Sequence, residues 1–211
     1  MIESQEREAW FEGLIRLVAP RHCVGCEDVV STAFCDCCET LVERSDGEGA
    51  VFRYGGPIAD AIQRFKYDRR SDLGVRLGRL MVDKALGNRG CVDAVVPVPL
   101  HWRRRRSRGF DQAALLAVPI AKALGVPVRV RGLRRVRHTP SQVRLPHAAR
   151  QRNVAGAFAP RRLCGAKRVL LVDDVRTTGA TLASAASALR SAGVSDVRSL
   201  VLATRVLREG T

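Results

Sequence analysis

The sequence predicts an α/β fold: a parallel sheet flanked by helices, preceded by a small N-terminal appendage with no core of its own. Three observations carry that expectation. Short runs rich in Val, Leu and Ala alternate with longer stretches in which apolar residues recur at helical spacing. The short runs are too uniformly apolar for strands with one wet face, as expected of strands buried on both sides. The paired cysteines all fall within residues 23–38, ahead of this alternation.

With 211 residues the chain is long enough for one domain plus an appendage, and 46% of its residues are hydrophobic. Its formal net charge is +15, unevenly spread. Residues 101–168 hold 18 Arg and Lys against one acid, Asp111, which leaves 18 basic and 20 acidic residues elsewhere. That segment is therefore an electropositive surface, fit for a pyrophosphate, a nucleic acid, or both. The first twenty residues carry four Glu, and Glu12 and Arg16 interrupt their apolar part, unlike a secretory leader. No apolar run is long enough for a membrane span, so a cytoplasmic location is expected. In a reducing compartment a disulfide framework is not the expected use of the seven Cys.

Taken in order, residues 8–18 place Trp10, Phe11, Leu14, Ile15 and Val18 on one helical face, suited to packing on the body of the protein. Cys23-Val-Gly-Cys26 follows, then eight residues, then Cys35-Asp-Cys37-Cys38. Two such pairs bring four thiolates to one tetrahedral ion. Cys23, Cys26, Cys35 and Cys38 are thus candidate ligands of a structural Zn²⁺ in a short zinc knuckle or ribbon. Cys37 and His22 leave the register of the ligands open. The Gly-rich, acidic residues 45–50 read as a linker, dividing the chain into residues 1–45 and a main domain of residues 51–211.

The main domain opens with a strand at residues 51–54. Gly56-Pro57 then starts a helix with Ile58, Ala61, Ile62 and Phe65 on one face, ending in Lys66-Tyr67-Asp68-Arg69-Arg70. A second helix is expected over residues 72–86, with Leu73, Leu77, Leu80 and Met81 inside. Residues 92–99 form a strand apolar enough to be central. It leads into a basic loop, Leu100, His101, Trp102, four Arg, Ser107, Arg108, Gly109 and Phe110. Asp111 is the expected N-cap of a helix over residues 112–124, in which Pro119 is a kink. A strand, a basic Gly-containing loop and a helix start together make an anion site, with Leu100, His101, Arg103 and Arg108 as candidate ligands. Residues 126–159 show no clear periodicity. Such a long basic stretch suits a lid over a reacting centre, a contact with nucleic acid or plain disorder.

Residues 169–182 organise the rest: Val-Leu-Leu-Val-Asp-Asp-Val-Arg-Thr-Thr-Gly-Ala-Thr-Leu. A buried strand ends in two carboxylates, a polar turn follows, and a helix begins with Leu182, Ala186 and Leu189 on one face and stops at Gly193. The N–H groups opening that helix can surround a phosphate, with Thr177, Thr178, Gly179, Ala180 and Thr181 as the cradle. Asp173 and Asp174 would repel phosphate, so they should face hydroxyls or a hydrated Mg²⁺. A sugar phosphate satisfies both ends at once. Helix capping is the plainer account of adjacent Asp residues, but it does not require a five-residue Thr/Gly turn. A last strand at residues 197–203 completes the alternation.

The acid pair and its turn resemble the fingerprint of type I phosphoribosyltransferases. The four-Cys knuckle, Lys66-Tyr67, the Pro-Val-Pro-Leu-His-Trp-Arg segment, Arg108-Gly109-Phe110, Thr139-Pro-x-Gln142 and Arg150-x-x-Asn153 extend the likeness to the ComF family. That family joins an N-terminal zinc-binding module to a phosphoribosyltransferase domain and is associated with DNA uptake in natural competence. The resemblance implies a type I phosphoribosyltransferase-like sheet and a role in nucleoside metabolism. It implies Asp173 and Asp174 as catalytic residues on the ribose hydroxyls of phosphoribosyl pyrophosphate, with Mg²⁺. Thr177 to Thr181 would take the 5′-phosphate, and the loop at residues 101–108 the pyrophosphate. Gln142 and Arg150 are implied as further substrate ligands. Implied partners are phosphoribosyl pyrophosphate or a related sugar phosphate or nucleotide, single-stranded DNA, and competence proteins. Two other classes stay open: a non-catalytic DNA-binding factor of the uptake machinery, and a regulator that senses nucleotides without turnover. Trp102, Phe110 and Phe158 are the aromatic platforms of the basic segment, fewer than a dedicated single-strand binder tends to use.

Overall fold

In the computed structural model the described residues are 22–137 and 156–205. The expected helix at residues 8–18, and Gln142 and Arg150 of the expected lid, lie outside them. In chain order the elements are α1 (Asp36–Leu41), β1 (Ala50–Arg53), α2 (Gly56–Tyr67), α3 (Asp72–Leu80), α4 (Val82–Leu86), β2 (Ala94–Pro97) and α5 (Trp102–Arg108). They continue with α6 (Gln112–Leu124), β3 (Leu133–Arg135), β4 (Phe158–Pro160), β5 (Arg168–Arg176), α7 (Ala180–Ser191) and β6 (Asp196–Thr204).

Four strands pair in parallel in the order β1-β6-β5-β2, and Val128 adds a parallel bridge to Val95 on the outer side of β2. The uniform apolarity of β5 follows from this position. Leu170 and Val172 pack on one face with Phe52, Ile58, Phe65, Leu77 and Leu116, whereas Val169 and Leu171 pack on the other with Phe158, Leu182 and Leu189. Helices α2, α3 and α6 thus cover one face and α7 the other. The cysteine module joins the first layer. Cys23, Val24, Phe34 and Cys38 share one buried cluster with Phe52 and Ile58.

Strand β5 runs past its neighbour. Its pairing with β2 ends at Pro97 opposite Val172, but its pairing with β6 continues to Arg176 opposite Thr204. The two chains also leave in opposite directions. After β2, α6 leads outward to Val128; after β5, α7 leads back to β6. A crevice therefore opens between the carboxyl ends of β2 and β5, where an open parallel sheet takes its ligands.

Four local expectations change. The acid pair lies on β5 rather than past its end, because β6 is long enough to keep that strand paired. The Arg run expected as a loop is helix α5, whose Arg105 N–H donates to the His101 carbonyl at 3.0 Å. Arg is a good helix former, and nothing breaks the run before Gly109, at φ +83°. The helix expected over residues 72–86 breaks at Met81 into α3 and α4. Gly74 and Gly78 lower its propensity. A Cβ on Gly78 would come within 2.6 Å of the Leu116 carbonyl and of Pro119, so glycine is what allows α3 to lie on α6. Finally, part of the aperiodic stretch pairs with itself: Leu133 faces Pro160 and Arg135 faces Phe158 in an antiparallel pair of three-residue strands. Runs that short leave no periodicity to detect.

Candidate functional site

The crevice is built from the carboxyl end of β5 upward. Asp173 accepts the N–H of Asp174 at 2.9 Å, and Asp174 Oδ2 lies 2.8 Å from Lys66 Nζ at the end of α2. The pair is largely shielded: the Lys66 side chain is 18% exposed and that of Asp174 13%. Burial, with the charge of Asp174 adding to it, pushes the Asp173 carboxyl up to about 8. The two acids are thus unequal: one is held by an ammonium, and in the other burial disfavours the charged form. A third carboxyl completes the set. Asp111 caps α6 through the Ala114 N–H at 3.4 Å and accepts the Leu100 N–H at 3.5 Å. Burial raises its pKa too, and Asp174 is close enough to add to that rise.

Beyond β5 the chain turns through Thr177, Thr178 and Gly179 into α7. Gly179 has φ +76°, a left-handed conformation that a side chain would strain. The Ala180 N–H leans on Thr178 Oγ1 at 3.4 Å, and Thr177 to Thr181 bring the opening N–H groups of a twelve-residue helix to the crevice. Those groups have no carbonyl one turn back to bond, so they favour an anion.

The last turn of α2 ties the acids to the basic segment. Phe65 stacks on Phe110 at 5.4 Å between ring centroids, and the Arg108 guanidinium lies 5.5 Å from the centre of the Tyr67 ring. Arg108 also donates to Gln112 Oε1 at 3.2 Å. Leu100 and His101, the latter 5% exposed, lie where the chain leaves β2, and Arg103 falls within α5. The structure therefore gathers Asp173, Asp174, the Thr177 to Thr181 turn, Leu100 and Arg108. It adds Lys66, which sequence reasoning did not select. Its signal was the Lys66-Tyr67 pair that closes an amphipathic helix and belongs to the family likeness.

The phosphoribosyl transferase domain family matches residues 111–209. DNA utilization protein YhgH of Salmonella typhi is 34% identical over 154 residues, covering 71% of this chain and 68% of that protein. Its Escherichia coli counterpart is 33% identical over 153 residues, covering 70% and 67%. Competence protein F of Haemophilus influenzae is 33% identical over 156 residues, covering 70% and 68%. This chain belongs to the ComF family. A further likeness, to the glutamine phosphoribosylpyrophosphate amidotransferase of B. subtilis, has 23% identity and a TM-score of 0.45 and spans 66% of this chain and 30% of that one. Among the described residues of this ComF-family chain no helix is long and apolar enough to cross a membrane.

The second polar centre is the cysteine module. The Sγ atoms of Cys23, Cys26, Cys35 and Cys38 all lie within 4.8 Å of one another, with Cys26 and Cys35 at 3.5 Å. A tetrahedron with Zn–S bonds of about 2.3 Å sets its sulfurs about 3.8 Å apart, so this group fits a closed, structural Zn²⁺ site. Backbone N–H groups already point at the sulfurs: those of Gly25 and Cys35 donate to Cys23 at 3.3 Å, and that of Cys38 to Cys35 at 3.4 Å. Cys37 is exposed and outside the group, and His22 uses Nδ1 on the Glu27 carbonyl at 2.8 Å.

Proposed function

We propose that this chain binds phosphoribosyl pyrophosphate with Mg²⁺ in the crevice between β2 and β5, in the setting of DNA utilisation. One observation carries the reading: an acid pair at the carboxyl end of β5 leads directly, through a left-handed Gly179, into the N-terminus of α7. Hydroxyl acceptors and a phosphate cradle are thereby held a few residues apart on rigid elements. Asp173 and Asp174 would take the ribose hydroxyls, Thr177 to Thr181 the 5′-phosphate, and the segment from Leu100 to Arg108 the pyrophosphate. The names of the relatives, which concern DNA utilization and competence, support the setting.

The acid pair is not a metal cage of its own, since Asp174 is taken by Lys66 and Asp173 holds a backbone N–H. It suits the water shell of a Mg²⁺ that arrives on the pyrophosphate oxygens, where the ion would neutralise leaving-group charge. For phosphoribosyl transfer, the C1′–oxygen bond would break with its electron pair leaving on pyrophosphate, as an acceptor such as a nitrogen base attacks C1′. The chain's part would be to hold both phosphate ends and keep the sugar fixed as positive charge spreads over the ring. No side chain is required as nucleophile.

The test is calorimetric titration of phosphoribosyl pyrophosphate with Mg²⁺ into the wild type and an Asp173→Asn, Asp174→Asn double variant. Binding by the wild type, weakened at least tenfold in the variant, is the expected outcome. Absence of binding by the wild type rejects the reading and favours a second one, single-stranded DNA binding. Exposed Arg131, Arg134, Arg137, Arg161 and Arg162, on and beside the β3–β4 pair, favour that alternative. Such binding would weaken steeply with salt.

A further inference from the structure

The Lys66–Asp174 pair raises a question that the sugar-phosphate reading leaves open. An acid needed for ribose hydroxyls is already bound to an ammonium. Leaving either member of a largely shielded ion pair without a partner is costly, so neither can be released into an empty crevice.

Helix α2 cannot move aside to solve this. At its start, Pro57 packs so closely on the cysteine module that a Cβ on Gly25 would lie 2.7 Å from it. Near its end, Arg64 donates to the Val24 carbonyl at 2.7 Å and to the Gly25 carbonyl, and it pairs with Glu27 at 3.5 Å. Fully buried Phe65 fixes the helical phase between these contacts. What can move is the Lys66 side chain.

The neighbours of Lys66 show where it can go. Phe65 and Tyr67, on either side in sequence, touch Phe110 and Arg108 at the end of α5. Lys66 is therefore rooted between the acid pair and the segment suited to a pyrophosphate. An ammonium is a compact charge with three rotatable donors on a flexible stem, so it can gain a phosphate oxygen before releasing a carboxylate. A rigid guanidinium fork is less suited to that handover.

We propose that Lys66 is an exchange residue: its ammonium holds Asp174 while the site is empty and passes to a pyrophosphate oxygen when a ribosyl pyrophosphate binds, freeing Asp174 for the ribose hydroxyls. The inference rests on the sugar-pyrophosphate reading of the crevice. It makes the site selective for a pyrophosphorylated sugar over the same sugar without pyrophosphate, because only the former supplies the new partner.

The test compares phosphoribosyl pyrophosphate with Mg²⁺ and ribose 5-phosphate as calorimetric titrants of the full chain, in the wild type, Lys66→Met and Lys66→Arg. Lys66→Met should weaken phosphoribosyl pyrophosphate binding about 10- to 100-fold, the span of a lost charged hydrogen bond, and leave ribose 5-phosphate within a few-fold. Lys66→Arg should restore part of the ratio. Equal losses for both ligands would mean a merely structural lysine and overturn the proposal. A wild type that binds neither ligand would overturn the sugar-phosphate reading beneath it. A second measurement does not depend on any variant's affinity. The chain has only four Lys, so ¹³Cε labelling gives a sparse spectrum in which the Lys66 signal is the one missing from Lys66→Arg. That signal should shift with inorganic pyrophosphate and Mg²⁺ and stay in place with ribose 5-phosphate; the reverse pattern also overturns the exchange.

Discussion

The cysteine centre and the acid crevice both lean on α2, but they are assembled in opposite ways. The first draws its ligands from residues 23–38 and needs little beyond its own turns to bring four sulfurs together. The second draws on the end of α2, the exit from β2, the cap of α6, the overhang of β5 and the start of α7. A local centre is won or lost as a unit, whereas a crevice assembled from distant segments degrades by degrees as each support shifts. Three variants test this difference.

The largest effect is expected at the metal. Wild-type protein should carry about one Zn per chain by elemental analysis, and Cys23→Ser with Cys26→Ser should carry none. Cys23, Val24 and Cys38 share their buried cluster with Phe52 and Phe65, so losing the ion should reach the main domain. A fall in melting temperature on the order of ten degrees, or outright unfolding, is expected. A metal-free wild type that stays folded would show that the centre is dispensable.

Gly25→Ala should have a smaller effect. The added Cβ would lie 2.7 Å from both Cys38 Sγ and Pro57 Cβ, so either the knuckle or the start of α2 must shift. Overpacking of this kind costs about 1–3 kcal/mol, or roughly 2–10 °C in a chain of this size. Zinc content should be unchanged. An unchanged melting temperature would mean that the two regions are not in firm contact.

An effect of opposite sign belongs to the crevice. The Asp173 carboxyl stands at about 8 in the folded chain because burial disfavours its charge. In the unfolded chain it returns to about 4, so between those values the folded state binds more protons and loses stability as pH rises. Asp173→Asn removes that loss. The variant should melt with the wild type near pH 4 and increasingly above it as pH rises, by on the order of ten degrees at pH 8, as followed by thermal unfolding across the range. A gap that closes with rising pH would place the carboxyl in a far wetter setting than its burial implies.

Much of this structure was legible where neighbours along the chain decide the outcome. Pro57 opens α2, Asp111 caps α6, and Leu182, Ala186 and Leu189 all turn inward from α7. The grouping of Cys23, Cys26, Cys35 and Cys38 was legible for the same reason, and the structure separates Cys38 from Cys37 by burial. What escaped depends on partners far apart in sequence. The end of β5 is set by the length of β6, β3 exists only against β4, and α3 stops shortly after Gly78 meets Leu116 and Pro119. Lys66 is the sharpest case. Its charge was plain, but only the packing of α2 beside the sheet brings it to Asp174.

The last turn of α2 also has a consequence for how this chain can change. Phe65, Lys66 and Tyr67 each meet a different partner, Phe110, Asp174 and Arg108, so three bearings are read from one helical dial. Each residue turns an α-helix by about 100°. One residue inserted or deleted between Pro57 and Phe65 would spin all three bearings together, pointing Phe65 at water and Lys66 away from the acid. Substitutions can drift along this helix one at a time, but its length is a gear with a fixed number of teeth.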